Sequence, residues 1–272
     1  MEFVTAQGLT LPKLGLGTWQ MSGSSCTDSV LGALERGYRH IDTARRYANE
    51  EAIGEAIATT PVQRADIHLT TKVWWEDLAP AAMRASIEGS LTRLKTDYVD
   101  LFLIHWPGPG MDLPAALGEL VRIKEAGLAR HIGVSNFTTA LLKQTLDEVG
   151  APICCNQVEY HVLLDQTKLL DFMRSRGLAL TAYCPLAQGR LAEHPQLAAI
   201  AAKHGVSPAQ VALRWLFDQD GVAAIPKAGR AESQQSNLDA LNVKLDDADR
   251  ATLAALPKTT RCVNPGWAPA WD

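Results

Sequence analysis

The chain has 272 residues, 47% of them hydrophobic and 21% charged, with a formal net charge of −4. That length is ample for a large core, and the acidic balance argues against nucleic acid as a partner. No apolar run reaches the roughly 18 residues of a membrane span, and MEFVTAQGLT has neither a basic n-region nor an apolar h-region, so neither a membrane anchor nor a signal peptide is expected and the cytoplasm is the expected location.

In chain order, the first thirteen residues read as two short β-like runs around Gln7-Gly8, a candidate hairpin. LGLGTW (14–19) then opens an alternation of strand and helix patterns. TDSVLGALERG (27–37) is followed by YRHIDTA and NEEAIGEAIAT, then by IHLTTKVW and PAAMRASIEGSLTRLK. YVDLFLIHW pairs with DLPAALGELVRIKEAG, ARHIGVSNF with TTALLKQTLDEVG, and ICCNQVEY with DQTKLLDFMRSRG. LALTAYCPL precedes a helical stretch from about Pro195 to Asp218, and VAAIPKAG precedes ESQQSNLDALN.

Thr27 or Asp28 and Ser207-Pro208 are candidate helix starts, and Gly37, Gly127, Gly150 and Gly177 candidate stops. The strand runs are apolar on both faces, as in a parallel sheet covered by helices. Eight such units without a linker predict one α/β domain over 1–272, a (β/α)8 TIM barrel with an N-terminal hairpin and an irregular tail from about 258. Five cysteines (Cys26, Cys154, Cys155, Cys184, Cys262) lack C-x-x-C spacing and are expected to be reduced and metal-free. Trp215, inside a helical pattern, is expected in the core.

Three of the apolar runs end on ionisable groups: Asp42 with Tyr47, then Lys72, then His105. The carboxyl ends of parallel strands are where α/β barrels place their chemistry. A lysine ammonium about 4 Å from a tyrosine would favour tyrosinate by roughly 4 kcal/mol at an effective dielectric near 20. Asp42 would hold that lysine charged, and a histidine would orient a carbonyl oxygen, so the four together suit protonating an oxygen that gains negative charge. Each residue alone has a plainer reading. Asp42 caps a helix, Tyr47 packs, Lys72 reaches solvent, and His105 is a satisfied core histidine.

The strings that carry these residues resemble the aldo-keto reductase family. GYRHIDTARRYANEEAIG, TTKVW and YVDLFLIHWP match its aspartate–tyrosine, lysine and histidine segments. GVSNF (133–137), NQVEY (156–160), TAYCPLAQG (181–189) and AIPKAG (224–229) follow in the family's order, and the ending WAPAWD is most similar to its bacterial diketogluconate-reductase branch. The resemblance implies a tetrad of Asp42, Tyr47, Lys72 and His105, with Tyr47 as general acid.

No G-x-G-x-x-G or P-loop is present, so the cofactor rests on the resemblance alone, which implies a nicotinamide dinucleotide. Gly17, Thr18, Ser135, Asn136 and Gln157 would hold its nicotinamide end, Tyr183 would stack on the ring, and Pro185, Leu186 and Gln188 would cover the pyrophosphate. Lys227 matches a 2′-phosphate ligand, whereas the family's following serine and later arginine are Ala228 and Ser233 here. Arg230 supplies a replacement charge and Asn237 matches an adenine contact, so NADPH is expected and NADH is the alternative.

Trp19, Trp74, Trp106 and, from the tail, Trp267 or Trp271 are expected to wall a pocket for a small carbonyl compound, and the resemblance implies a substrate of the methylglyoxal or 2,5-diketo-D-gluconate type. A monomer is the default. Two other classes stay open: a nucleotide-sensing binding module, and a barrel aldolase with a Schiff base on Lys72.

Overall fold

The computed structural model describes residues 1–272. The chain opens with the antiparallel hairpin β1 (Phe3–Ala6) and β2 (Leu9–Pro12), in register from Phe3↔Pro12 to Ala6↔Leu9. Gln7 and Gly8 take φ of 48° and 81°, the left-handed pair that matches a two-residue turn to the twist of its strands. One face of the hairpin, Val4, Ala6, Leu9 and Leu11, packs on Leu101, Leu103, Cys155, Ala179 and Ala223. It closes one end of the barrel described next.

Eight parallel strands follow: β3 (Leu16–Gly17), β4 (His40–Asp42), β5 (His68–Val73), β6 (Val99–Ile104), β7 (Ala129–Ser135), β8 (Cys155–Glu159), β9 (Ala179–Tyr183) and β10 (Val222–Ala224). Each pairs with the next in sequence order. The sheet then closes on itself through the bridges Leu14↔Ala224 and Gly17↔Lys227. Gly17 is required there, because a Cβ would sit 2.5 Å from the Ile225 carbonyl oxygen. Every residue of β5 and β6 is buried, as continuous apolar runs demand of strands covered on both faces. The expected (β/α)8 barrel is thus the observed fold.

Ten helices surround the barrel: α1 (Gly23–Glu35), α2 (Glu50–Thr59), α3 (Pro80–Leu94), α4 (Leu113–Glu125), α5 (Thr139–Lys143), α6 (Thr167–Ser175), α7 (Pro195–His204), α8 (Pro208–Phe217), α9 (Ala231–Asp239) and α10 (Asp247–Ala254).

Helix boundaries depart from the sequence reading in three places. Helix α1 starts four residues before Thr27, whose hydroxyl donates to the Ala52 carbonyl instead of capping. The stretch from Pro195 is two helices, the second starting at the expected Ser207-Pro208. Gly205 ends α7 with φ of 66°, and Ser207 starts α8 with a reciprocal capping box to Gln210. Helix α10 lies outside the eight repeats and is capped in the same way by Asp246 and Asp249. No helix is long and apolar enough to cross a membrane.

Candidate active site

The strand register brings the expected residues to one rim. Asp42 ends β4, Lys72 is next to last in β5, and His105 follows β6. Ser135 and Tyr183 end β7 and β9, and Gln157 is the middle residue of β8. Tyr47 lies in the single turn 45–47 after β4.

The centre is a buried ion pair. Lys72 Nζ donates to Asp42 Oδ1 at 2.6 Å and to the Thr43 carbonyl at 2.8 Å. Gln157 Nε2 donates to the other Asp42 oxygen at 2.7 Å. Such a pair is tolerable inside a protein only because its remaining lone pairs and protons also find partners. Burial holds the Lys72 pKa below its usual value, with Asp42 acting in the opposite sense. The ammonium therefore faces its carboxylate and is directed away from solvent.

Tyr47 and His105 lie against this pair. The Tyr47 ring centroid is 5.2 Å from Lys72 Nζ and 5.5 Å from the His105 ring, edge to face. The Tyr47 hydroxyl makes no hydrogen bond within the protein. Its pKa is raised well above the tyrosine range by burial, and further by the Asp42 charge. This corrects the expected sign. Two of the three Lys72 protons go to Asp42 and Thr43, and burial together with the Asp42 charge keeps the phenol protonated. Burial, then Lys72, keeps the His105 pKa well below 6.5, and the imidazole is neutral. His105 Nδ1 is buried without a partner.

Above these groups opens a cavity of about 1020 Å³. It is lined by Asp42, Tyr47, His105, Gly17, Thr18, Asn136, Gln157, Tyr183, Pro185, Leu186, Gln188 and Lys227. Lys72 and Ser135 lie beneath the wall, both within 1% of full burial. Ser135 donates to the Gln157 carbonyl at 2.7 Å, and Asn136 Nδ2 donates to the His105 carbonyl at 3.0 Å. Tyr183 donates its hydroxyl to Asn136 Oδ1 at 2.7 Å, fixing a flat aromatic face at the cavity edge. Gln157, with Nε2 committed to Asp42, keeps Oε1 free to accept.

Ala228, Arg230 and Asn237 fall outside this lining. Ala228 is buried beside Ser29, whose hydroxyl donates to its carbonyl, Arg230 is the exposed residue before α9, and Asn237 is buried in that helix. Backbone strain gathers at the same rim. Gln20, Asn136, Cys184 and Gln188 line the cavity and all have positive φ, a cost that proteins concentrate at functional sites.

The tail forms the remaining wall. Trp267 packs edge to face on Trp74 at 5.7 Å and on Trp106 at 5.0 Å, and lies 5.8 Å from Trp75. Trp19 stands at the rim, 49% exposed. The tail is held by a residue that the sequence reading passed over. Glu159, fully buried, accepts from the backbone N–H of Cys262 at 2.6 Å and of Val263 at 2.8 Å. His161 accepts from the Leu163 N–H at Nδ1, so its Nε2 donates the third bond to Glu159 at 3.0 Å. At the far end, the Asp272 carboxylate accepts from the Thr139 N–H and hydroxyl at the start of α5. Arg46 and Trp75 were also missed. Arg46 lines the cavity and leans over Trp74, with Cζ 5.3 Å from that ring.

The geometry has close counterparts. Residues 13–258 match the model of the aldo/keto reductase family. The methylglyoxal reductase DkgB of Salmonella typhimurium is 42% identical over 268 residues, 97% of this chain and 100% of that protein. A solved structure named provisionally as a 2,5-diketo-D-gluconic acid reductase B superposes with a TM-score of 0.97 at 42% identity, covering 100% of this chain and 98% of the other. An aldo/keto reductase from Brucella melitensis superposes with a TM-score of 0.89 at 40% identity, covering 93% and 97%. With the barrel, the rim and the match over most of its length in agreement, this chain belongs to the aldo/keto reductase family, an oxidoreductase fold that works with a nicotinamide cofactor on a small carbonyl substrate.

Proposed function

We propose that the protein reduces small aldehydes, ketones and dicarbonyls to alcohols with NADPH, and that Tyr47 delivers the proton. The observation that carries this reading is one cavity bearing the Tyr47 phenol, the His105 imidazole and, directly beneath, the closed Asp42–Lys72 pair. The bound cofactor would supply a hydride. His105 would donate an N–H to the substrate oxygen, placing it beside the Tyr47 hydroxyl. As negative charge grows on that oxygen, Tyr47 gives up its proton. The tyrosinate left behind is stabilised by Lys72, whose charge Asp42 keeps from dissipating. Trp74, Trp106 and Trp267 exclude water, which strengthens each of these interactions.

The residues present fit a nicotinamide dinucleotide. Gln157 Oε1 and Asn136 suit a carboxamide, and the tethered Tyr183 ring suits a flat heterocycle. Lys227 is exposed at the cavity edge with no ion-pair partner, and Arg230 is exposed three residues on. Two free cations favour a 2′-phosphate, hence NADPH over NADH. The relatives' names support small dicarbonyls such as methylglyoxal or 2,5-diketo-D-gluconate as substrates. A Schiff base on Lys72 is disfavoured, since that amine lies beneath the cavity wall and is already committed to Asp42 and Thr43.

The test is a fluorescence titration with NADPH and NADH, followed by methylglyoxal turnover with each. Tighter NADPH binding that weakens about tenfold in Lys227→Ala, the loss of roughly one charge-assisted bond, is the expected result. Equal affinity for the two cofactors would remove the NADPH assignment. Absence of turnover across carbonyl substrates would remove the reductase reading.

A further inference from the structure

The cavity holds only three lining side chains with a permanent charge: Asp42, Arg46 and Lys227. Asp42 is neutralised by Lys72 at 2.6 Å. Lys227 follows β10 and sits next to Gly17 of β3, on the side assigned above to the cofactor phosphate. Arg46 remains. It follows β4, directly precedes Tyr47, and leans toward β5, where its guanidinium carbon lies 5.3 Å from the Trp74 ring. That ring is in turn 5.3 Å from the His105 imidazole, edge to face. The guanidinium is therefore two ring contacts from the groups that would receive the carbonyl oxygen.

Arg46 is also unspent. It forms no ion pair and donates no hydrogen bond within the chain, although many other arginines here, such as Arg64, Arg93, Arg176 and Arg214, are paired with carboxylates. A guanidinium over an aromatic face keeps its N–H edge free, and that edge matches the two oxygens of a carboxylate. The ring it leans on, Trp74, is one of four tryptophans that line the cavity. Arg46 is exposed at the cavity mouth, where the Trp74 ring on one side lowers part of the screening that weakens an ordinary surface charge. A neutral substrate would gain nothing from this group.

The geometry points to Arg46 as a specificity-determining residue that makes the pocket select carbonyl compounds carrying a carboxylate. The inference rests on the reductase reading above and deepens it. Of the two substrate types raised by the relatives, it favours the keto acid over the neutral dicarbonyl. Arg46 binds the carboxylate at the cavity mouth while the carbonyl oxygen reaches Tyr47 and His105. No covalent step involves it.

The experiment compares two aldehydes that differ by one group, benzaldehyde and 4-carboxybenzaldehyde, each assayed with NADPH. Wild type is expected to show a KM about tenfold lower for the acid, as one charge-assisted contact would give. The preference should shrink as KCl is raised, because a charge at the mouth is open to screening. In Arg46→Leu the KM ratio should fall to about one, and Arg46→Lys should keep part of it, since a point charge remains without the planar fork.

Arg45→Leu is the control for a general surface field. Arg45 is exposed next door but does not line the cavity, and its loss should leave the ratio standing. A wild-type ratio near one, a ratio that survives Arg46→Leu, or one that collapses equally in Arg45→Leu would overturn the assignment of Arg46 and leave the reductase reading intact. Failure to reduce either aldehyde would overturn both.

Discussion

Lys72 and Asp42 close on each other inside the barrel with an Nζ–Oδ1 distance of 2.6 Å and side-chain exposures of 0% and 2%. The pair joins β4 to β5 across 30 residues of chain, and Tyr47 packs against its cationic end. A buried pair of this kind is costly to break from one side, because the survivor stays in the interior without its counter-charge. Lys72→Met should therefore lower unfolding stability by about 3–5 kcal/mol. Adding Asp42→Asn should restore part of that loss. Urea denaturation of the two variants checks this. A Lys72→Met protein as stable as wild type would show that the pair is not held in low dielectric.

The buried histidines make a prediction about acid. Burial pushes the His40 pKa down to about 4, partly offset by Asp42. His68 and His105 are held well below 6.5, again mainly by burial. In the unfolded chain each imidazole takes up a proton near 6.5, while the folded protein refuses it until lower pH. Below 6.5 the unfolded state thus binds more protons, and stability falls as pH falls. Above 6.5 these groups contribute nothing. His40 alone should remove about 3 kcal/mol between pH 6.5 and its folded pKa of about 4.

Glu159 also has a lowered pKa, so stability it contributes is lost only below its usual 4.5. The window from 4.5 to 6.5 therefore isolates the histidines. Urea midpoints measured through that window should decline, and His40→Asn should flatten the slope. A midpoint constant from pH 7 to 5 would contradict the burial of these rings.

Glu159 and the tail give a third outcome. In Glu159→Gln one carboxylate oxygen becomes an N–H₂ facing either the N–H groups of Cys262 and His161 or that of Val263. An unmet buried donor costs about 1–3 kcal/mol, enough to loosen the tail that carries Trp267 without unfolding the barrel. The expected signature is faster proteolysis after Lys258 or Arg261, a changed tryptophan emission and a raised KM for the carbonyl substrate, with NADPH affinity retained. Unchanged proteolysis and KM would show that the aromatic contacts of Trp267 hold the tail without the latch.

The barrel was legible because its strands are buried on both faces, so they appear in the sequence as unbroken apolar runs that end on Asp42, Lys72 and His105. The hairpin was legible from Gln7-Gly8, a local signal. The start of α1 was misread because Thr27 is a good capping residue that the structure uses in another way, bonding Ala52 of the next helix. The start of α8 was legible at Ser207-Pro208, whereas the Gly205 stop just before it was passed over inside a continuous apolar pattern.

The latch could not be read in advance. Glu159 reaches Cys262 across 103 residues, and no local period reports such a contact. The direction of the Tyr47 shift was hidden for a related reason. Sequence names the charges near a phenol but does not say that the ammonium's hydrogen bonds go to Asp42 and Thr43 while burial and the Asp42 charge act on the phenol.

The central claim, that Tyr47 is the proton donor above the Asp42–Lys72 pair, is tested most directly by single-turnover oxidation of bound NADPH in Tyr47→Phe. The Tyr47 hydroxyl makes no hydrogen bond within the protein, so its removal should leave folding and cofactor affinity in place. The account predicts a chemical step slowed at least about 100-fold, the loss expected for a positioned general acid. A rate within twofold of wild type, with NADPH still bound, would contradict it.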